Sequence, residues 1–206
     1  MDSGAEAAGH TVGRRSVIKG STALWLTPTV VSVAAVATAM GSGSQPVITS
    51  TTNVNILDPA PPTFKRNQIE SDTDGYVFLE SLCAPLGTDI VVNRATDGNF
   101  GGASNAGTVI PAGTLVSTFI LGFDRLSPGM IVGTVSFSNP ILGLIYRRDE
   151  FLASTPEFAA SGVCYPVNNG SYFENSDSGT LAGDTVQINS TVNANHSDVV
   201  RILVAC

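Results

Sequence analysis

Tryptophan, lysine and histidine are nearly missing from this chain. Its 206 residues hold one Trp (Trp25), two Lys (Lys19 and Lys65) and two His (His10 and His196). Three of those five fall within the first 40 positions. From residue 40 on, the chain must work with one imidazole, one ammonium and no indole. A zinc site would need an unusual ligand set, because only His196 remains and the cysteines are too widely spaced for a paired-Cys motif. A Ser-His-Asp triad has only His196 to draw on, with Asp198 nearby. No Gly-x-Ser-x-Gly elbow marks a nucleophile. Cations are also scarce: residues 40–206 contain 7 Lys and Arg against 15 Asp and Glu, a net charge of −8. Such a surface repels nucleic acid and anionic lipid, whose binding depends on clustered Lys and Arg. Past residue 40 no apolar run approaches the ~20 residues that a membrane-spanning helix needs.

The first 40 residues differ in kind. Three cations, Arg14, Arg15 and Lys19, sit within six positions, and the stretch from Ser21 to Met40 carries no charge. Near its end stands Ala37-Thr38-Ala39. A charged head, an apolar middle and a small-residue exit are the three parts of an export signal. Arg14-Arg15-Ser16-Val17-Ile18-Lys19 resembles the twin-arginine (Tat) signal of bacteria and archaea: two Arg, any residue, two apolar residues, then often Lys. Gly13 and Val17 depart from the commonest residues of that pattern. The resemblance implies the Tat export machinery as a partner and a passenger that folds before it crosses the membrane. It further implies cleavage after Ala39 and an extracytoplasmic location, secreted or at the cell surface, with no membrane contact after cleavage. Without cleavage the same segment is an N-terminal tether. The expected organisation is a signal peptide over 1–39, then a flexible leader, first strand and Pro-rich connector over 40–66, and one domain over 67–206.

Outside the cytoplasm thiols oxidise. Cys83, Cys164 and Cys206 then predict one disulfide and one leftover thiol, with all three pairings open. The other reading makes all three small buried apolar side chains.

The remaining residues alternate or are rich in β-branched side chains. Strands are expected over 46–57, 75–82, 88–93, 114–123, 130–137, 141–147, 171–175, 184–193 and 198–204. Residues 58–64 form a proline-rich connector, and 95–107 read as a loop set by Gly, Asn and Ser. Residues 147–162 alone show helical spacing, divided by Pro156 into one or two short turns. The expected fold class is all-β: a single β-sandwich or jelly roll of about ten short strands with one short helical insertion.

Glu70, Asp72 and Asp74 precede Gly75 at alternating positions, with Glu80 further on. Such oxygen ligands resemble the opening of a calcium loop. The pattern wants a Glu six residues past the Gly, where Ser81 stands and Glu80 is one residue early. The same residues also read, and read better, as a polar turn entering the strand at Tyr76. Glu150, Glu157, Glu174 and Asp177 are candidates for the carboxylate pair of a glycoside hydrolase. Tyr146, Tyr165, Tyr172 and Phe173, beside Asn168-Asn169-Gly170, could offer flat faces to glycans in place of Trp, or they could simply pack the sandwich.

Much of the chain also resembles an uncharacterised group of secreted bacterial β-rich domains. The carrying residues are Gly107-Thr-Val-Ile-Pro-Ala-Gly-Thr114, Phe123-Asp124, Phe137, Pro140-Ile-Leu-Gly-Leu-Ile145, Tyr165-Pro166, Glu174 and Asp198-Val-Val-Arg201-Ile202. They span roughly residues 67–204. The resemblance implies the fold and the location and no particular reaction. Together these features predict an exported binding or structural module with glycans or cell-surface components as partners. Calcium is the one cofactor in view and no catalytic residue stands out; a secreted hydrolase is the alternative.

Overall fold

The computed structural model describes residues 44–101, 107–167, 172–192 and 196–206. They form twelve strands and one helix. The strands are β1 (Ile48–Thr52), β2 (Val54–Ile56), β3 (Gly75–Pro85), β4 (Ile90–Val92), β5 (Gly98–Gly101) and β6 (Thr108–Ile110). After them come β7 (Leu115–Asp124), β8 (Gly129–Phe137), β9 (Ile141–Ile145), the helix α1 (Arg148–Phe158), β10 (Ser178–Ala182), β11 (Thr185–Val192) and β12 (Ser197–Ala205). One five-stranded sheet runs β1-β8-β11-β10-β5, a second runs β2-β3-β7-β12-β9, and β4 and β6 form a separate pair. The all-β sandwich expectation holds. Every pairing is antiparallel except β2 with β3.

The second sheet is covered on both faces, and its sequences account for this. In β7 and β12 nearly every residue is buried. Successive side chains of a strand point to opposite faces, so a run such as Phe119-Ile-Leu-Gly-Phe123 or Val199-Val-Arg-Ile-Leu203 supplies two cores at once. Phe119, Leu121, Phe123, Val200, Ile202 and Val204 meet Ile131, Val135, Phe137, Val186 and Ile188 between the sheets. The alternate residues Val116, Ile120, Val199 and Leu203, with Tyr76 and Phe78 of β3, meet a second layer. That layer is made by Phe151 and Phe158 of α1, Ile90 and Val92 of β4, Ile110 of β6, and Phe64 and Tyr172. The first sheet, an apolar second sheet and a cover made of the helix and the β4–β6 pair make three tiers.

Several local expectations are corrected. The strand expected over 46–57 is two strands in different sheets, split at Asn53, whose φ of 52° turns the chain. Asn53 tolerates that left-handed conformation better than a β-branched neighbour would, and its amide donates to the Val132 carbonyl at 3.0 Å. Residues 48–56 are thus integral to the sandwich, and the division expected at residue 67 is not a domain boundary. The loop expected over 95–107 contains β5, which pairs with β10. Tyr172 makes only an isolated bridge to Val199, so the described part of 171–175, residues 172–175, forms no strand. The helix is a single element of 11 residues that continues through Pro156, at the cost of the bond a backbone N–H there would donate to the Leu152 carbonyl. The expected signal residues Arg14, Arg15, Lys19, Ala37 and Ala39 lie outside the described residues.

Candidate functional site

The sequence-predicted calcium ligands do not converge. Asp72 accepts from the Ser127 N–H (3.0 Å) and Ser127 hydroxyl (2.8 Å), and these bonds lower its carboxyl below the usual range. Asp74 accepts from Thr73 Oγ1 at 2.7 Å. Glu70 is exposed. Glu80 turns into the protein, where its side chain is fully buried against Arg201. Among the described residues no three His, Cys, Asp or Glu come close enough together to hold a metal ion. The polar-turn reading of 70–75 is the one the geometry supports.

Glu80 and Arg201 form a bidentate pair, with Nε–Oε2 at 2.7 Å and Nη2–Oε1 at 2.6 Å. The remaining guanidinium hydrogens reach α1: Nη1 donates to the Phe151 carbonyl (3.1 Å) and Ser154 Oγ (2.5 Å), and Nη2 to Thr155 Oγ1 (3.3 Å). The Phe151 ring stacks on the guanidinium at 4.1 Å. A buried charge is tolerated when it is both paired and fully hydrogen-bonded. This pair is structural, and it fastens the helix to β3 and β12.

A second polar cluster lies at one end of the sandwich. Asp198 is buried between the sheets, and Ser190 of β11 bonds its Oδ2 at 2.5 Å. Burial, then the charge of Asp177, push the Asp198 carboxyl up to about 8. Asp177 accepts from the Thr191 N–H (2.8 Å) and the Glu174 N–H (2.5 Å), and burial raises it too. His196 Nδ1 stands 2.7 Å from Glu174 Oε1. The triad reading fails on connectivity. The buried hydroxyl bonds the carboxyl directly, and His196 faces a glutamate instead of a serine.

The glycan-facing aromatics are also committed elsewhere. Tyr146, Tyr172 and Phe173 are buried, and Phe100, Tyr146 and Phe173 stack at centroid distances of 5.3 to 6.3 Å. Tyr165 packs edge-on against Phe64 at 4.9 Å. Burial pushes the Tyr172 hydroxyl up to about 12, and it donates to the Pro166 carbonyl at 2.6 Å. Asn168, Asn169 and Gly170 lie outside the described residues. Of the remaining carboxylates, Glu157 accepts from the Gly87 N–H at 2.5 Å, and Glu150 lines a cleft of about 380 Å³ with Asp89 and Asp149.

Cys83 and Cys206 form the disulfide, and Cys164 is an exposed free thiol. Ser117 Oγ donates to Cys83 Sγ at 3.6 Å and lies 3.3 Å from Cys206 Sγ.

A cleft that the sequence reading missed is lined by Thr63, Lys65, Arg66, Asn67, Gln68, Pro166 and Val167, with a volume of about 520 Å³. Its walls are fixed from below. Phe64 is fully buried between Phe78 (5.3 Å) and Tyr165. Asn67 turns the chain with φ of 62°, and the Gln68 and Ile69 N–H groups then donate to Asp124 Oδ2 at 3.0 and 3.3 Å. Thr63 bridges Cys164, whose N–H donates to the Pro62 carbonyl at 2.9 Å. The available signal was the Lys65-Arg66 pair in an otherwise acidic chain.

Compared with protein-family models, curated proteins and solved structures, the chain matches none.

Proposed function

We propose that this protein is an extracytoplasmic binding module that presents a preformed surface cleft to a cell-surface or matrix component. The observation that carries the reading is the contrast between its polar groups. The ones best suited to catalysis, Ser190, Asp198 and Glu80, are buried and hold the fold together. The ones left at the surface around the Lys65 cleft are hydrogen-bonding and cationic groups on a rigid base, as small-ligand sites require. The twin-arginine pattern at Arg14-Arg15 and the Cys83–Cys206 disulfide support a location outside the cytoplasm. Export by the Tat route would deliver the sandwich already folded. N-terminal sequencing of protein from its native host is the test. A chain starting at Met40 and recovered outside the cytoplasmic membrane supports the reading, and a cytosolic chain retaining Met1 with reduced Cys83 and Cys206 refutes it.

The alternative, a secreted hydrolase, draws on the second cleft, where Asp89, Asp149 and Glu150 come together. It requires turnover of a substrate that disappears in Glu150→Gln.

A further inference from the structure

The two sides of the sandwich are finished differently. On one side stand the edge strands β5 and β9. The Asn93 and Arg94 N–H groups donate to the Leu144 carbonyl of β9, at 2.8 and 3.2 Å. The Arg94 guanidinium donates to the Thr96 and Asp97 carbonyls and lies against Gly98 at the start of β5. That side is closed by backbone and by charge. On the other side stand β1 and β2. From Val47 to Leu57 the chain has no charged residue and no proline, two of the devices that guard strand edges. Among the described residues β1 has β8 on one flank and no strand on the other, and β2 covers only Gly75–Val77 of the 11-residue β3. Beside these edges opens a cleft of about 300 Å³. Val47, Ile48, Ile56, Leu57 and Leu79 line it together with the buried Phe119, and Asp58 is its one charge. Val47, Ile56 and Leu79 are three of the nine large apolar side chains left exposed among the described residues.

We propose that this bare side is an interface between two copies of the chain, related by a two-fold axis, with β1 of one copy pairing antiparallel to β1 of the other. The inference goes beyond the binding-module reading and does not depend on it. Backbone geometry supplies the first contact. The Phe137 N–H donates to the Asp184 carbonyl, on the β11 side of β8. Alternation along β8 turns Val135 the same way, so Thr51, which lies opposite Val135, directs its own N–H and C=O away from β8. A second β1 laid against it joins the two five-stranded sheets into one of ten. The irregularity between Ile48 and Ser50 keeps the regular pairing short, so the apolar cleft beside β1 must supply much of the contact. Charge selects the occupant. Two chains of net charge −8 over residues 40–206 repel across most of their surfaces. They can approach where the lining carries a single carboxylate. A two-fold axis also sets the same pair of edges against itself, so the β1 edge and the cleft are both met at once, whereas a lone peptide strand would meet one of them.

The experiment is sedimentation equilibrium of the whole folded protein from about 1 μM to about 1 mM, with two variants beside wild type. Ile56→Lys places a charge in the cleft at a side chain that is 55% exposed. Val109→Lys makes the same change on β6, where the side chain is 52% exposed. Both are checked for an unchanged melting temperature at the lowest concentration. Wild type and Val109→Lys should pass from one chain to two and no further, and Ile56→Lys should weaken the association about tenfold or more, because it strands a charge in a closing apolar contact. Added salt should strengthen the wild-type pair by screening the repulsion between acidic chains. Hydrogen exchange should show the Thr51 amide protected in the pair and open in the single chain. A protein that stays single to about 1 mM overturns the proposal. So does association that Ile56→Lys leaves intact, that Val109→Lys weakens equally, or that salt dissolves. Growth beyond two copies would mean a contact that does not close, and it also overturns the two-fold. A pair whose Thr51 amide exchanges as fast as in the single chain refutes the strand pairing and the proposal with it.

Discussion

Arg201 and Glu80 offer the sharpest test of how the helix is held. Arg201→Met keeps a long apolar side chain over Phe151 but leaves Glu80 fully buried without its cation. Removing one partner of such a pair costs about 3–5 kcal/mol, mostly the penalty of the stranded charge. Glu80→Leu should cost a similar amount by stranding the guanidinium. The double variant strands neither. Its helix oxygens also stay satisfied, because Ser154 Oγ and Thr155 Oγ1 both donate to the Phe151 carbonyl, at 3.0 and 2.7 Å. The two single losses should therefore fail to add, with a coupling of about 2 kcal/mol or more in a double-mutant cycle. Urea unfolding of the disulfide-intact proteins measures each term. Arg201→Lys, which keeps the charge and loses the fork, should fall between wild type and Arg201→Met. Additive single losses, or a cost below about 1 kcal/mol for Arg201→Met, would refute the view that this pair is a closed structural unit.

Other outcomes follow from the same structure. Asp198 releases its proton near pH 8 in the folded state and near 3.8 when unfolded, so the folded state holds the extra proton between those values. Stability should fall as pH rises through that window; Asp198→Asn should flatten the slope in urea midpoints from pH 5 to 8, and an unchanged slope would contradict the assignment. Breaking the Cys83–Cys206 bond, with a sequence separation of 123, removes a constraint worth about 5 kcal/mol in the chain-entropy model. The unreduced native protein should yield one maleimide-reactive thiol per chain, Cys164, and two or none would be inconsistent with the pairing. At Gly122 an added Cβ would lie 2.3 to 2.6 Å from the buried Tyr76 ring. Gly122→Ala should lower stability by about 1–3 kcal/mol or more, read as a drop in melting temperature.

The regular strands were legible because their periodicity is strong. Thr185–Val192 alternates wet and dry, and the structure places it at the middle of the first sheet with that alternation intact. Legibility failed where register depends on a distant partner. Gly98–Gly101 looks like a loop because two glycines flank one apolar residue, yet Phe100 is buried and the segment pairs with β10 some eighty residues later. The division at Asn53 was invisible for a similar reason, since a single left-handed residue leaves the hydrophobic pattern unchanged. Double-sided burial of β7 and β12 was written in their near-continuous apolar runs. A lone Arg at 201 inside such a run carried a further message, that a buried carboxylate must wait opposite. Glu80 instead falls into a calcium-like pattern with Glu70, Asp72 and Asp74, because spacing along the chain says nothing about which sheet face a side chain occupies. The cleft was missed because its halves, 63–68 and 166–167, are a hundred residues apart and are brought together by the Thr63–Cys164 bridge and the Phe64–Tyr165 contact.

Strand β12 lies between β7 and β9, although it is the last of the twelve in chain order. A ribosome adding ~5–20 residues per second needs several seconds to travel the roughly eighty residues from β7 to the end of β12. Throughout that interval β7 displays ten residues destined for burial with an open flank beside them, and the helix has no guanidinium to dock on. The nascent polypeptide is therefore at its stickiest just before β12 is made. Loss of Ser197–Ala205 alone would empty both interiors at once, leaving a product that quality-control proteases should clear instead of a slightly weakened protein.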